Sequence, residues 1–339
     1  MRRLLLLTFT IALVCGALAA TFFLRVPSTL RTQAPTPTMA TATDSGSVDE
    51  STDDSAPAWP DSAGSPEQVM YAQTQMLNDA IAKLAARAAG KVNLYFIAFA
   101  GDGDENVFRN EAEFAEKQFS QRFNDAGHTL LLINNPATLD QRPLATLTNL
   151  ETAIDAIADK MDRDEDVLLL FLTSHGSRDH QLYIGLDPLP LDQIATQDIA
   201  DIFTDAHIRY KVIVISACYS GGFIDALKDD TTMVITAARS DRASFGCGTD
   251  ADITDFGRAF FVDGLNHNDS FTAAFAEASQ RIDALETRDG EDHSWPQIAT
   301  TPRIEAKLKA WRSGIQLGPP VPFVPPPRAD DKDSLTAVH

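Results

Sequence analysis

Two stretches of the chain, Asp166 to Leu172 and Val212 to Ile215, are almost unbroken apolar runs, the pattern of strands buried on both faces. Lys91 to Phe99, His128 to Ile133 and Met233 to Ala237 read as three more strands. Between them the apolar positions recur at helical spacing. Gln68 to Ala89 predicts a helix carrying Val69, Met76, Leu77, Ile81 and Leu84, and Asn110 to Asn124 a second one carrying Phe114, Phe119 and Phe123. Leu144 to Met161, Gly257 to Leu265, Phe271 to Leu285 and Ile304 to Trp311 complete the helices. Strands alternating with helices predict an α/β fold with a mainly parallel central sheet between helical layers.

The two ends break this pattern. Leu4 to Leu24 is a continuous apolar run behind Arg2 and Arg3, long enough to span a bilayer with the bulk of the chain on the far side. We read residues 1–25 as an uncleaved, single-pass inner-membrane anchor that leaves the folded domain on the periplasmic side. A cleaved signal peptide ending at Ala17-Leu18-Ala19, releasing a secreted or periplasmic protein, is the alternative. Residues 26–66 are rich in Ser, Thr, Pro and Asp without hydrophobic period and predict a disordered spacer. Residues 313–339, with Gly318-Pro319-Pro320 and Pro325-Pro326-Pro327, predict an extended Pro-rich tail. The folded domain is thus expected over residues 67–312.

Composition narrows the partners. With 48 acidic against 28 basic residues the net charge is −20, which repels phosphate backbones and argues against nucleic acid. Three cysteines are too few for a disulfide framework. Cys15 falls in the apolar segment, leaving Cys218 and Cys247. Cys247 reads as structural, with redox pairing to Cys218 the alternative, and a disulfide there would disable the chemistry below.

In open parallel sheets, reactive groups collect beyond the carboxyl ends of the strands. One buried strand runs into Ser174-His175-Gly176, the other into Ser216-Ala217-Cys218. A thiolate attacks carbonyl carbon, and a nearby imidazolium or a helix N-terminus after Cys218 would favour it. His175 could then protonate the leaving amine, with the N–H groups of Gly176 and Cys218 as oxyanion donors. Taken singly, a Cys at a strand end is usually core and a His before Gly is usually a loop residue; the pairing is what makes the case.

These blocks resemble the His-Gly and Ala-Cys blocks of peptidase family C13, the legumain-like branch of the caspase–gingipain–legumain clan, and are most similar to its bacterial members. The similarity runs from about Lys91 to Trp311 and includes Ala100-Gly101, Phe108-Arg109, Ala237-Ala238 and Ser244-Phe245-Gly246-Cys247. The resemblance implies a caspase-like three-layer α/β/α sandwich, a cysteine endopeptidase using a Cys218–His175 dyad, protein or peptide substrates, and no cofactor or metal. It also implies that Arg109 binds the side chain before the cut bond, with Ser216 and Ser244 beside the substrate. Ser216 and Arg258 stand where eukaryotic members carry pocket acids, and Ser174 where many carry an acid before the base, so cleavage after Asn is not implied. Transamidase-like acyl transfer and a non-catalytic, membrane-tethered binding protein are the alternative functions.

Other signals carry less. Gly101-Asp102-Gly103 lacks the third glycine of a dinucleotide loop, since Asn106 stands there. Asp102, Asp104 and Glu105 read as a solvated acidic loop, with a cation site the alternative. His175, Asp179 and His180 match no helical zinc spacing. Ser220 lacks the glycine of a serine-hydrolase elbow.

Overall fold

A computed structural model describes residues 59–248 and 250–326. The expected membrane segment and most of the expected spacer lie outside the described residues. Among the described residues, no helix is long and apolar enough to cross a membrane.

The chain forms α1 (Pro66–Ala82), β1 (Leu94–Ala100), α2 (Asn106–Gln121), β2 (Thr129–Ile133), α3 (Leu147–Lys160) and β3 (Val167–Thr173). A small antiparallel pair, β4 (Gln181–Leu182) and β5 (Ile194–Ala195), follows, then α4 (Thr196–Ala206) and β6 (Tyr210–Ser216). Next come α5 (Ile224–Leu227), β7 (Thr232–Thr236) and α6 (Asp255–Gly257). α6 continues through a π-helical segment (Arg258–Gly264) into α7 (Leu265–His267). The elements end with α8 (Phe271–Asp289), β8 (Gln297–Ala299) and α9 (Pro302–Ser313).

The sheet order is β2-β1-β3-β6-β7-β8. The first five strands are parallel and β8 is antiparallel at the edge. Successive side chains of a strand point to opposite faces, so an apolar run must feed two cores. Leu94, Phe96 and Ala98 of β1 and Val167, Leu169 and Phe171 of β3 pack with α2, α8 and α9. Tyr95, Ile97 and Phe99, with Leu168, Leu170 and Leu172, pack with α3 and α4 on the other face. The result is the three-layer α/β/α sandwich that the alternating pattern predicts.

Several boundaries move for tertiary reasons. α1 stops at Ala82 because the following backbone is captured elsewhere. Ala85 N–H donates to the Gly127 carbonyl at 2.7 Å and Ala88 N–H to Asn93 Oδ1 at 2.9 Å. α4 and β8 are elements that the sequence pattern did not single out. Both ends of the expected domain also extend. Trp59 and Ala63 pack on Val69, Leu139 and Leu186, so the last residues of the expected spacer belong to the fold. The Pro-rich tail is not wholly solvated. Gly318 N–H donates to the Arg122 carbonyl at 2.7 Å, Val321 is buried, and its N–H donates to Asn266 Oδ1 at 2.9 Å. Prolines deny this segment regular structure, but apolar residues spaced along it give it a face to bury.

Candidate active site

β3 and β6 are hydrogen-bonded neighbours, with Thr173 opposite Ser216. His175 and Cys218 each lie two residues further on. The parallel register therefore delivers both to the same carboxyl-end rim. Ser174 N–H donates to the Ser216 carbonyl at 3.2 Å, which carries the pairing one residue past the strands. A Cβ at Gly176 would collide with the Cys218 carbonyl oxygen, so only glycine lets the two loops close this tightly. Among the described residues, the N–H groups of Gly176 and Cys218 donate to no protein acceptor, which leaves both as free donors on the rim.

The sulfur of Cys218 is half-buried and not in a disulfide. Ser244 N–H lies 3.2 Å from it and Ser244 Oγ 3.7 Å, both as donors, and the Ser244 carbonyl lies 3.4 Å away as an acceptor for the thiol form. The Cys218 thiol is pulled down to about 5. The leading cause is the influence of the neighbouring Cys247 thiol; burial opposes it, and the Ser244 N–H and O–H and the charge of His175 add to it. Cys247 is pushed the other way by the same contact and stays the protonated donor. Cys247, expected to be structural, instead acts on the nucleophile candidate.

The predicted helix N-terminus after Cys218 is slight. Ser220–Phe223 is a 3-10 turn, and α5 has one turn only. A dipole that short contributes little, so the neighbouring donors and the charge of His175 carry the acidity of the thiol. Cys247→Ala is expected to raise the midpoint of Cys218 alkylation by at least about one pH unit, with Cys247→Ser partly restoring it. Alkylation rates measured against pH would show this, and an unmoved midpoint would refute the role of Cys247.

The imidazole of His175 sits between acidic and aromatic walls. Its Nε2 lies 3.5 Å from Asp102 Oδ2 and 3.5 Å from Glu105 Oε2. Phe108 meets the ring edge-on, centroid to centroid 5.1 Å. The His175 carbonyl accepts the Tyr183 N–H at 2.9 Å. A cleft of about 440 Å³ opens beside the imidazole, lined by Asp102, Glu105, Gly176, Gln181, Tyr183 and Gln193 among others. The acidic trio is therefore not a solvated loop: Asp102 is only 2% exposed. Burial raises the carboxyls of Asp102 and Glu105, and the His175 charge opposes that rise. The reading as a loop failed because burial of Asp102 is imposed by β3 and the β4 turn, not by its neighbours in sequence.

The remaining predicted residues are more scattered. Arg109 lies on α2, where its Nη1 donates to Asn135 Oδ1 at 3.0 Å and its Nη2 to Asn110 Oδ1 at 3.0 Å. It adjoins Phe108 but is held by neutral amide oxygens. Ser216 is 2% exposed, with its Oγ 3.1 Å from Thr254 Oγ1. Arg258 is exposed and stacks on Phe323 at 5.2 Å. Ser174 is buried and its hydroxyl donates to the Tyr183 carbonyl. His180 is turned to the Ser240 carbonyl at 3.0 Å. Among the described residues, no group of three His, Cys, Asp or Glu is placed to hold a metal ion.

Beneath the rim lies a residue that sequence analysis missed. Glu111 of α2 is fully buried, its Oε2 accepting from Thr173 Oγ1 at 2.9 Å while Oε1, which abuts Gly257, has no hydrogen-bond partner among the described residues. Burial pushes its carboxyl up to about 7, against the hydroxyls of Thr173, Thr254 and Ser216, which pull it down. An acid whose folded value lies above its unfolded value of 4.5 costs stability as the pH rises between the two. Glu111→Gln should therefore gain about 3 kcal/mol on the wild type between about pH 4 and pH 8. Urea unfolding of both proteins across that range checks this, and a constant difference would contradict it.

Comparison with known proteins bears on this rim. The family model described as Peptidase C13 family matches residues 145–305. The match takes in α3 to the start of α9, with His175, Gly176, Cys218 and Cys247, and stops short of β1, α2 and Arg109. No curated protein matches the chain. The mostly parallel six-stranded sheet between helices accords with the caspase-like fold of that family. Residues 145–305 of the chain therefore carry the sequence pattern of the peptidase C13 family, over the segment that holds His175 and Cys218.

Proposed function

We propose that the chain is a cysteine-type endopeptidase in which Cys218 is the nucleophile and His175 the acid and base. The observation that supports this most is the β3–β6 register, which puts His175 and Cys218 at matching positions on one rim with Gly176 packed on the Cys218 carbonyl. The Cys218 thiolate adds to the scissile carbonyl carbon, and the oxyanion takes the free N–H groups of Gly176 and Cys218. Imidazolium gives its proton to the leaving amine as the C–N bond breaks. The neutral imidazole then takes a proton from water, whose oxygen attacks the thioester and frees Cys218. Arg109 and Ser244 are the candidates for substrate contact, and Ser216 supports the rim from below. The segment of Arg2, Arg3 and Leu4 to Leu24 supports a domain held on the outer side of the inner membrane.

Incubating the full chain with a mixed peptide pool, before and after stoichiometric alkylation of its thiols, tests the reading. Cleavage that ends on alkylation is the expected result. Cleavage that survives complete modification of Cys218 would overturn it.

A further inference from the structure

The cleft beside His175 has a counterpart on the Cys218 side, a cavity of about 600 Å³ lined by Arg178, Tyr219, Arg242 and Phe245 among others. The sheet order puts β6 and β7 on one side of β3 and β1 on the other, so the two cavities flank the rim. The walls of the second are the loops that hold the sulfur. Tyr219 follows Cys218 directly, and its N–H donates to the Arg242 carbonyl at 2.8 Å. Ser244, two residues past Arg242, donates its N–H to the sulfur at 3.2 Å.

Both arginines are held by rings rather than by acids. Arg178 lies over Tyr219 at 5.0 Å. Arg242 stacks on Trp295 at 4.6 Å, and Arg239 on the same indole at 4.1 Å. Trp295 has a φ of 51°, a backbone state that costs a bulky residue energy. Its neighbour fixes it there: Ser294 N–H donates to Glu286 Oε2 at 3.0 Å and its carbonyl accepts the Arg239 N–H at 2.8 Å. Among the described residues neither Arg178 nor Arg242 forms an ion pair, and Arg242 Nε is buried without a hydrogen-bond acceptor. Such orphans stand out in a chain with 48 acidic and 28 basic residues. Of the acids that border the cavity, Asp241 has both oxygens on Arg239, at 2.5 Å and 2.8 Å. Glu291 and Asp292 are exposed, where solvent and salt screen them.

We propose that this cavity is a substrate subsite for an aspartate or glutamate side chain of the peptide, with Arg178 and Arg242 as its specificity residues. The proposal deepens the peptidase reading and rests on it. A buried guanidinium donor without an acceptor carries an unmet desolvation cost, which a carboxylate relieves and a basic side chain cannot. Guanidinium meets carboxylate through two parallel N–H···O bonds, stronger than those to a neutral amide. Stacking on Tyr219 and Trp295 orients the guanidinium planes while leaving their in-plane donors available. Tyr219 is adjacent to Cys218 in the chain, so the acidic residue has to lie within a few positions of the cut bond.

Paired peptides test this, acetylated and amidated at their ends so that one side chain is the only carboxylate, with Glu set against Gln at each position near the cut bond. The full chain should favour Glu at one position by about tenfold or more in kcat/KM, mostly through KM. Arg178→Gln and Arg242→Gln should each reduce that ratio severalfold, and the double variant should bring it close to one. Arg178 is exposed, so its variant gives a reading even where Arg242→Gln fails to fold. Arg303→Gln removes the same charge from the exposed face of α9 and should leave the ratio unmoved. No preference at any position, an unchanged ratio in both single variants, or a preference that needs a free carboxyl terminus would overturn the proposal. Binding separates this from the peptidase reading. In Cys218→Ala the Glu peptide should change the fluorescence of Trp295, which is 42% exposed and assignable by loss in Trp295→Phe, and should bind about tenfold more tightly than the Gln peptide. Absent hydrolysis by the wild type would sink the peptidase reading and leave that binding ratio to decide the subsite. Hydrolysis without selectivity would sink the subsite alone.

Discussion

Cys218→Ala should abolish peptide hydrolysis, with a fall of at least about 10⁴-fold in kcat, while the protein keeps its fold. The side chain is half-buried, and among the described residues its neighbours are Ser244, Cys247 and the charge of His175. No core contact depends on the sulfur, so the stability change should stay within about 1–2 kcal/mol. A Cys218→Ser variant sharpens the point. Serine can keep the Ser244 hydrogen bond, but its hydroxyl is not acidified to any comparable degree, so it should be nearly as inactive. Peptide cleavage followed by mass spectrometry, with unfolding midpoints alongside, measures both quantities.

Gly176→Ala should be the second large effect, and it should act without touching a reactive atom. The new methyl would meet the Cys218 carbonyl oxygen and lie 3.3 Å from Ala217 Cβ. Backbone is the obstacle, so the loops after β3 and β6 must part. A shift of about 1 Å costs on the order of 10² in rate, and the free N–H of Gly176 moves with it. The overpacking should also cost about 1–3 kcal/mol. The two readouts separate the causes: Ser177→Ala, one residue along, should change neither by much. Wild-type turnover in Gly176→Ala would show that the two loops need not be in contact for the reaction.

The sandwich was legible wherever both faces of a strand are apolar. β3 and β6 show as runs because α2, α8 and α9 cover one face and α3 and α4 the other. The same logic located His175 and Cys218, since the carboxyl ends of the most buried strands are where parallel sheets place reactive groups. The partners of these residues were not legible. Asp102 and Glu105 sit in an acidic run that looks solvated; Asp102 becomes buried, and Glu105 half-buried, because β1 pairs with β3 and the segment after β4 bridges to Asp102. Cys247 reaches Cys218 through the loop that follows β7, which has no periodicity to trace. Glu111 looks like one more polar position of an amphipathic helix, yet it points into the rim rather than to water. α4 has an amphipathic pattern of its own in Ile199, Ile202 and Phe203, a signal that was present and not used. The tail was misjudged for a related reason: proline content forecasts its lack of helix and strand, but not whether Val321 finds a groove.

The central claim is that one thiol, activated by its neighbours on this rim, is the nucleophile. Labelling the full chain with a peptidyl acyloxymethyl ketone, and locating the adduct by mass spectrometry, tests it most directly. The account predicts a single adduct on Cys218, formed from about pH 5 upward and greatly slowed in His175→Ala. An adduct on Cys247 instead, or labelling of Cys218 at the same rate without His175, would contradict it.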